Sequence, residues 1–256
     1  MTILDLSRRD GAGAPPASAH ASAAPTPGAY LAGKATTDCI LAALILAWTL
    51  PLIVLAMILT RLTSAGPVIF KQIRVGLGGR PFTIYKIRTM RADCERETGP
   101  VWSSGRDPRV TPLGRFLRST HLDELPQLVN VLRGEMSLVG PRPERPEFVA
   151  QLERAIPCYR DRLEVRPGLT GLAQLQLAPD TDLESVRRKL ACDLYYIRRA
   201  SPWLDLRILL STSWSVSGIP FGVSRVLLGI PSGVVVEEAY CDMVSRAMLA
   251  GRLRPA

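Results

Sequence analysis

Apolar residues run without a charge from Ile40 to Thr60, ILAALILAWTLPLIVLAMILT, with Lys34 and Asp38 ahead of them and Arg61 behind. The run is long enough to cross a bilayer as a helix. Pro51 sits at its centre, where its ring removes the hydrogen bond to the Ala47 carbonyl and crowds that turn, so a kink or break is expected. Thr49 offers the freed backbone a partner. Each half rises roughly 15 Å at 1.5 Å per residue, which suits half a bilayer. Two paths stay open: a kinked span, or a helix–break–helix hairpin that returns both ends to one face. The cations that follow, Arg61, Lys71, Arg74, Arg80, Lys86 and Arg88, place the C-terminal side in the cytoplasm.

The pattern then changes period. VIFKQIRVG and PFTIYKIRTM alternate in strand fashion around LGGR, so residues 67–90 predict a β-hairpin with a glycine loop at 76–79. No helix follows that loop, which excludes a dinucleotide-binding reading. From Asp93 to Arg109 turn signals predict a loop. Thr111-Pro112 starts a helix as N-cap and first residue, with Arg115 and Arg118 three apart on it and directed toward the next segment. That segment, STHLDELPQL, opens an apolar face of Leu122, Leu125, Leu128, Val129 and Leu132 at helical spacing, closed by Gly134. Thr120, three residues before Asp123, predicts a capping box with Asp in the usual Glu or Gln place.

Three prolines then surround Arg142 and Arg145, predicting a stiff loop that presents guanidinium groups to an anion. Residues 146–161 read as helix, and RPGLTG as a turn. Asp182 reads as the N-cap of a helix carrying Leu183, Val186, Leu190, Leu194 and Ile197. Ser201-Pro202 opens another, whose Trp203, Leu206, Leu210 and Trp214 stripe is either core or an interfacial face. Residues 218–256 carry no readable motif. Residues 1 to about 30 are Ala/Pro/Gly/Ser-rich and predict a disordered tail, with no apolar core of a signal peptide close to its early arginines.

Composition narrows the partners. A net charge of +9 on a chain that is 47% hydrophobic points to a polyanion, whether nucleic acid, anionic lipid or a phosphorylated substrate. Aromatics at 6% do not interleave with the basic residues, which disfavours base stacking. The scattered cysteines, 39, 94, 158, 192 and 241, form no CxxC pair and read as reduced thiols. Asp123-Glu124, adjacent carboxylates at a helix start with arginines on both sides, are the leading chemical candidate. Asp180-Thr181-Asp182 is a rival metal-binding motif that the N-cap reading explains better.

Taken together, Lys34-xxx-Asp38 before a Pro-broken apolar segment, GPVIFKQIRVG, PFTIYKIRTM, DPRVTPLGRFLR, LDELPQLVNVLRGEMSLVGPRP, RPGLTGLAQ and KLACDLYYIRRASPWLDL resemble the bacterial sugar transferases of the monotopic phosphoglycosyl transferase superfamily, in their short form. Ala35, Leu50 and Leu172 depart from residues frequent there; the acidic pair does not. The resemblance implies a mainly α fold with a small β-hairpin, in a membrane-associated monotopic protein with a Pro-broken re-entrant N-terminal helix and amphipathic interfacial helices. It divides the chain into a tail (1–33), a membrane hairpin (34–61), a catalytic domain (62–217) and a C-terminal extension (218–256). It implies transfer of a sugar-1-phosphate from a UDP-sugar to undecaprenyl phosphate on the cytoplasmic face of the bacterial inner membrane, starting an exopolysaccharide, capsule, O-antigen or related glycan. Asp123 would be the nucleophile and Glu124 a ligand of Mg²⁺. Lys86, Arg88, Arg118 and Arg142 would hold phosphate, Asp193 would support the site from behind, and Pro51 would break the membrane helix. The alternatives are a metal-dependent glycosyltransferase using Asp180 and Asp182, a membrane-anchored scaffold of a polysaccharide assembly complex without turnover, and a DNA-binding protein.

Overall fold

The computed structural model describes residues 28–92, 94 and 107–250. The tail expected over 1–27 and most of the loop expected at 93–109 lie outside the described residues. Helix α1 (Gly28–Thr63) starts inside the stretch expected to be tail. After it come β1 (Ile69–Val75), β2 (Pro81–Ile87) and α2 (Pro112–Ser119), then a 3-10 helix over Leu122–Gln127 that runs into α3 (Leu128–Leu132). The rest is β3 (Ser137–Val139), α4 (Pro146–Ala155), a further 3-10 helix over Tyr159–Glu164, β4 (Gly168–Thr170), α5 (Leu172–Gln176), α6 (Leu183–Arg199), α7 (Pro202–Val216), α8 (Phe221–Leu228) and α9 (Gly233–Leu249). The chain is mainly helical, as expected.

Helix α1 passes through Pro51 without a break. Its buried positions explain why. Lys34, Asp38, Ala42, Ile53, Ala56 and Thr60 form one stripe at the helical repeat, all buried against the domain. The part-buried Leu46 links the cluster around Ala42 to the one around Ile53 and Ala56. Pro51 lies on the exposed side, so one lost backbone bond acts against packing on both sides of it, and packing decides the path. Thr49 does not serve the Ala47 carbonyl: its Oγ1 donates to the Ile45 carbonyl at 2.7 Å. The off-stripe residues are open, with Trp48 85% exposed. Within Gly33–Thr63 an 18-residue window has a mean hydropathy of 2.6.

The β1–β2 hairpin pairs antiparallel, Ile69 against Ile87 and Val75 against Pro81. Gly78 and Gly79 turn it with φ of 63° and 83°, a left-handed stretch that glycine takes without strain. A second sheet was not expected: β3 and β4 run parallel, Ser137 beside Gly168 and Val139 beside Thr170. Both strands are three residues long, too short to show a period-2 pattern. Two motifs meet here. A Cβ on Gly168 would lie 2.1 Å from the Gly140 nitrogen, and one on Gly171 2.2 Å from its oxygen. RPGLTG and SLVGPRP therefore pack backbone on backbone.

The helix expected over 146–161 stops at Ala155, before Pro157. Asp182 does cap α6, accepting from the Ser185 amide at 2.7 Å in a capping box. The Trp203, Leu206 and Leu210 stripe of α7 faces outward, while Leu204 and Ile208 face the core. Residues beyond 218 form α8 and α9, with α9 packed on α6 through Val236, Tyr240 and Met243.

Candidate active site

The acidic pair begins where α2 ends. Thr120 has helical rather than extended backbone angles, so it cannot act as the expected N-cap. Its hydroxyl instead donates to the Phe116 and Leu117 carbonyls at 2.9 and 3.2 Å. The reversal is made by His121, at φ +55°. A non-glycine residue in that region is strained, and such strain gathers where a neighbouring side chain must be aimed. Asp123 and Glu124 then occupy the first turn of the 3-10 helix. Asp123 is 7% exposed.

Glu124 is gripped from two sides. Lys86 of β2 donates to its Oε1 at 2.7 Å, and the Arg142 guanidinium reaches both oxygens, at 2.6 and 3.2 Å. The structure thus brings together Asp123, Glu124, Lys86 and Arg142. Arg118 joins them from α2, its Nε donating to the Thr89 hydroxyl at 2.9 Å, and its charge is felt by Asp123. Arg88 does not join. Its guanidinium donates to the carbonyls of Ser64 and Ala65 just beyond α1, so it ties β2 to the end of that helix. Arg115 is exposed and turned back to the Val110 carbonyl.

Arg142 stands on a loop fixed from behind. Arg162 donates to the Arg142 carbonyl and to the Tyr159 hydroxyl, both at 2.8 Å, and its NH2 lies 2.8 Å from Asp193 Oδ2. From the other side Arg74 donates to the Pro143 carbonyl at 3.0 Å and pairs with Glu144 at 3.2 Å. Asp193 therefore reaches the site through Arg162. Arg74 was seen in the sequence only as one of the hairpin cations, and Tyr159, Arg162 and His121 were not singled out. Arg74 and Arg162 act through long-range contacts that no local spacing signals, Tyr159 acts through Arg162, and His121 stood in plain view inside the STHLDELPQL motif.

The electrostatics separate the two carboxylates. Burial, and then the neighbouring charge of Glu124, push the Asp123 carboxyl up to about 6, against the pull of Lys86, Arg118 and His121. Glu124 goes the other way: burial would raise it, but Arg142 and Lys86 outweigh burial and hold it well below its ordinary value. At neutral pH both are ionised. Asp123 is the more basic, and the less hydrogen-bonded, of the two. Three cations face these two anions, which leaves room for further negative charge from a phosphate.

Among the described residues no group of three or more His, Cys, Asp or Glu converges. That argues against a zinc-like cage but fits Mg²⁺, which is held by one or two carboxylates together with substrate phosphates and water. Glu124 would be free to ligate it once Arg142, whose side chain is 45% exposed, turned to a phosphate. Asp180 and Asp182 form no such site. Asp182 caps α6 and Asp180 pairs with Lys189 at 2.9 Å.

The family model for bacterial sugar transferases matches residues 29–218. The chain is 48% identical over 183 residues to a UDP-glucose:undecaprenyl-phosphate glucose-1-phosphate transferase of Caulobacter vibrioides, covering 70% of this chain and 67% of that protein. It is 46% identical over 162 residues to a UDP-N-acetylgalactosamine-undecaprenyl-phosphate N-acetylgalactosaminephosphotransferase of Aeromonas hydrophila, covering 63% of this chain but 38% of that one. With a putative undecaprenyl-phosphate N-acetylgalactosaminyl 1-phosphate transferase of Bacillus subtilis it shares 50% over 134 residues, covering 52% and 74%. Against several of these relatives, then, the chain spans only about two fifths of their length, as with 40% of a Xanthomonas campestris glucose-1-phosphate transferase.

Proposed function

The chain belongs to the bacterial sugar transferase family, and from that premise we propose that it transfers a sugar-1-phosphate from a UDP-sugar to undecaprenyl phosphate at a membrane surface. The observation that carries the reading is the division of labour in the acidic pair. Asp123 is ionised, weakly hydrogen-bonded and surrounded by cations, as a nucleophile needs. Glu124, held well below its ordinary value by Arg142 and Lys86, is the less basic of the two and the poorer nucleophile.

A carboxylate oxygen of Asp123 attacks the β-phosphorus of the donor. The bond from that phosphorus to the bridging oxygen breaks, UMP leaves with the oxygen, and a phosphosugar-aspartyl ester remains. A phosphate oxygen of undecaprenyl phosphate then attacks the same phosphorus, which frees the Asp123 carboxylate and gives the lipid diphosphate sugar. Lys86, Arg118 and Arg142 neutralise the phosphoryl oxygens as charge builds on them. Mg²⁺, held by Glu124 and the donor phosphates, would reduce the repulsion between an anionic nucleophile and a dianionic diphosphate.

The α1 stripe supports a monotopic placement. A helix packed along one domain from Lys34 to Thr60 cannot cross the bilayer away from it, so its lipid-facing side enters the leaflet and its ends stay on the domain's side. The cation-rich segment after Arg61 supports a cytoplasmic position for that side, where UDP-sugars are. The soluble donor and the membrane-borne acceptor then meet at Asp123.

The test uses protein in nanodiscs with Mg²⁺ and donors radiolabelled in the β-phosphate, starting with UDP-glucose and UDP-N-acetylgalactosamine, without acceptor. Label should stay on the denatured chain, disappear with Asp123→Asn and be discharged by undecaprenyl phosphate. UMP release on adding acceptor, with no prior labelling under any condition, would remove Asp123 as nucleophile. No turnover with any donor would favour the scaffold reading.

A further inference from the structure

We infer that α8, which lies beyond the residues shared with the family, is a second membrane-contacting element. Together with α7 it lays Val223, Val226 and Leu227 into the leaflet that α1 occupies. The inference rests on reading α1 as membrane-embedded.

The family match ends at residue 218, yet the chain beyond it is folded and docked. Ser224 is buried and shares a 2.7 Å hydrogen bond with Ser211 of α7. Arg207 donates to the Gly229 carbonyl at 3.1 Å, Gln176 to the Pro231 carbonyl at 3.0 Å, and Arg187 pairs with Glu237 at 2.8 Å. The inner side of this extension is therefore satisfied by the domain. Its outer side is not. Val226 and Leu227 are each 68% exposed, and Leu206, Leu210 and Val216 of α7 carry the apolar surface on. Buried Ser211 and Ser224 hold the two helices side by side.

Charge decides what covers this surface. From Ala200 to Val236 the chain has a single carboxylate, Asp205, and it is buried; the only other charges are Arg207 and Arg225. A water-facing helix pair usually mixes both charge signs over its outer side. An apolar face edged by arginines alone matches the headgroup region of an anionic leaflet. A two-fold pairing of this face with a second copy would bring arginines together without carboxylates, which disfavours that occupant. Trp203, also exposed, has the Arg207 guanidinium 5.0 Å from its ring centre, a pair suited to the level where acyl chains meet headgroups.

Geometry ties this surface to α1. At the start of α7, Asp205 accepts from Lys34 and, at 2.6 Å, from the Tyr30 hydroxyl. The exposed sides of α1, α7 and α8 thus belong to one connected body. If α1 is in the bilayer, the α7–α8 face is close to it.

The experiment places the photocrosslinker p-benzoylphenylalanine, in the full chain, at Val226, with Trp48 and Glu238 as reference positions. Each protein is irradiated in vesicles of phosphatidylethanolamine and phosphatidylglycerol, and the adducts are read by mass spectrometry. We expect lipid adducts at 48 and 226, each ~10-fold above those at 238, since only the first two would sit among acyl chains. Lipid adducts at 48 without any at 226 would overturn the role of α8 and leave the membrane reading of α1 standing. Covalent protein dimers at 226 would overturn it in favour of a second copy. Absence of lipid adducts at 48 would remove the membrane reading, and α8 with it.

Discussion

Keeping Asp123 charged inside the protein works against the fold. Burial pushes its carboxyl up to about 6 in the folded chain, from an ordinary 3.8. The fold thus prefers the protonated form, and ionisation destabilises it above about pH 6, with relief as the pH falls through that value. At about 1.4 kcal/mol per unit, the penalty at neutral pH is at most on the order of 3 kcal/mol. Asp123→Asn should therefore unfold at a higher temperature than the parent at pH 7.5 while forming no covalent intermediate, and the gain should shrink toward pH 5. A thermal unfolding series across that range checks it; a destabilised variant would sink the account. The same ionisation governs chemistry. Single-turnover labelling should fall about tenfold per unit below pH 6, following one ionisation, because Glu124 is held well below that range.

At the scale of elements, Arg142 is only as well placed as the loop beneath it. Arg162 touches Asp193, Tyr159 and the Arg142 carbonyl at once, a planar fork that lysine cannot copy. Arg162→Lys should raise KM for the UDP-sugar and lower kcat, together by on the order of 100-fold in kcat/KM, or ~3 kcal/mol. Its labelling should keep the pH midpoint near 6, because Asp123 is not touched. A variant with unchanged kcat/KM would show that the loop holds its shape without the fork.

These elements also show what the sequence made legible. The β1–β2 hairpin and the Asp182 cap were readable because period-2 alternation and capping are local. The acidic pair was readable as a motif, and Lys86 and Arg142 as cations that the fold then carried to it. The contacts of Arg88 were not readable: its charge is visible in sequence, but its partners, the carbonyls of Ser64 and Ala65, are backbone atoms. The break offered as one outcome at Pro51 does not form, because a local rule about one hydrogen bond was set against packing that only the folded stripe reveals. The β3–β4 pair escaped because three residues carry no period.

The whole molecule is held to α1 by buried charge. Lys34 bonds both Asp38 and Asp205, Asp38 accepts from the Ser137 hydroxyl at 2.5 Å, and Asp205 accepts from Tyr196 at 2.8 Å and from Tyr30. Removing the lysine strands two carboxylates in the interior. Lys34→Ala should destabilise by about 3–5 kcal/mol, seen as a lower yield of folded protein and faster proteolysis of the domain packed on α1. Full recovery of activity and protease resistance in that variant would show that the apolar stripe alone suffices.

The same cluster sets a timetable for biosynthesis. Lys34 and Asp205 are 171 residues apart, so at ~5–20 residues per second the ribosome supplies the second partner roughly ten to thirty seconds after the first. For that interval α1 is in hand without Asp205, its lysine paired at most with Asp38 one turn away. The final geometry of α1 is thus decided late in synthesis, when α7 emerges and pulls the waiting cation into the interior. A nascent chain stalled before Asp205 would carry α1 in an unlocked state, open to proteolysis.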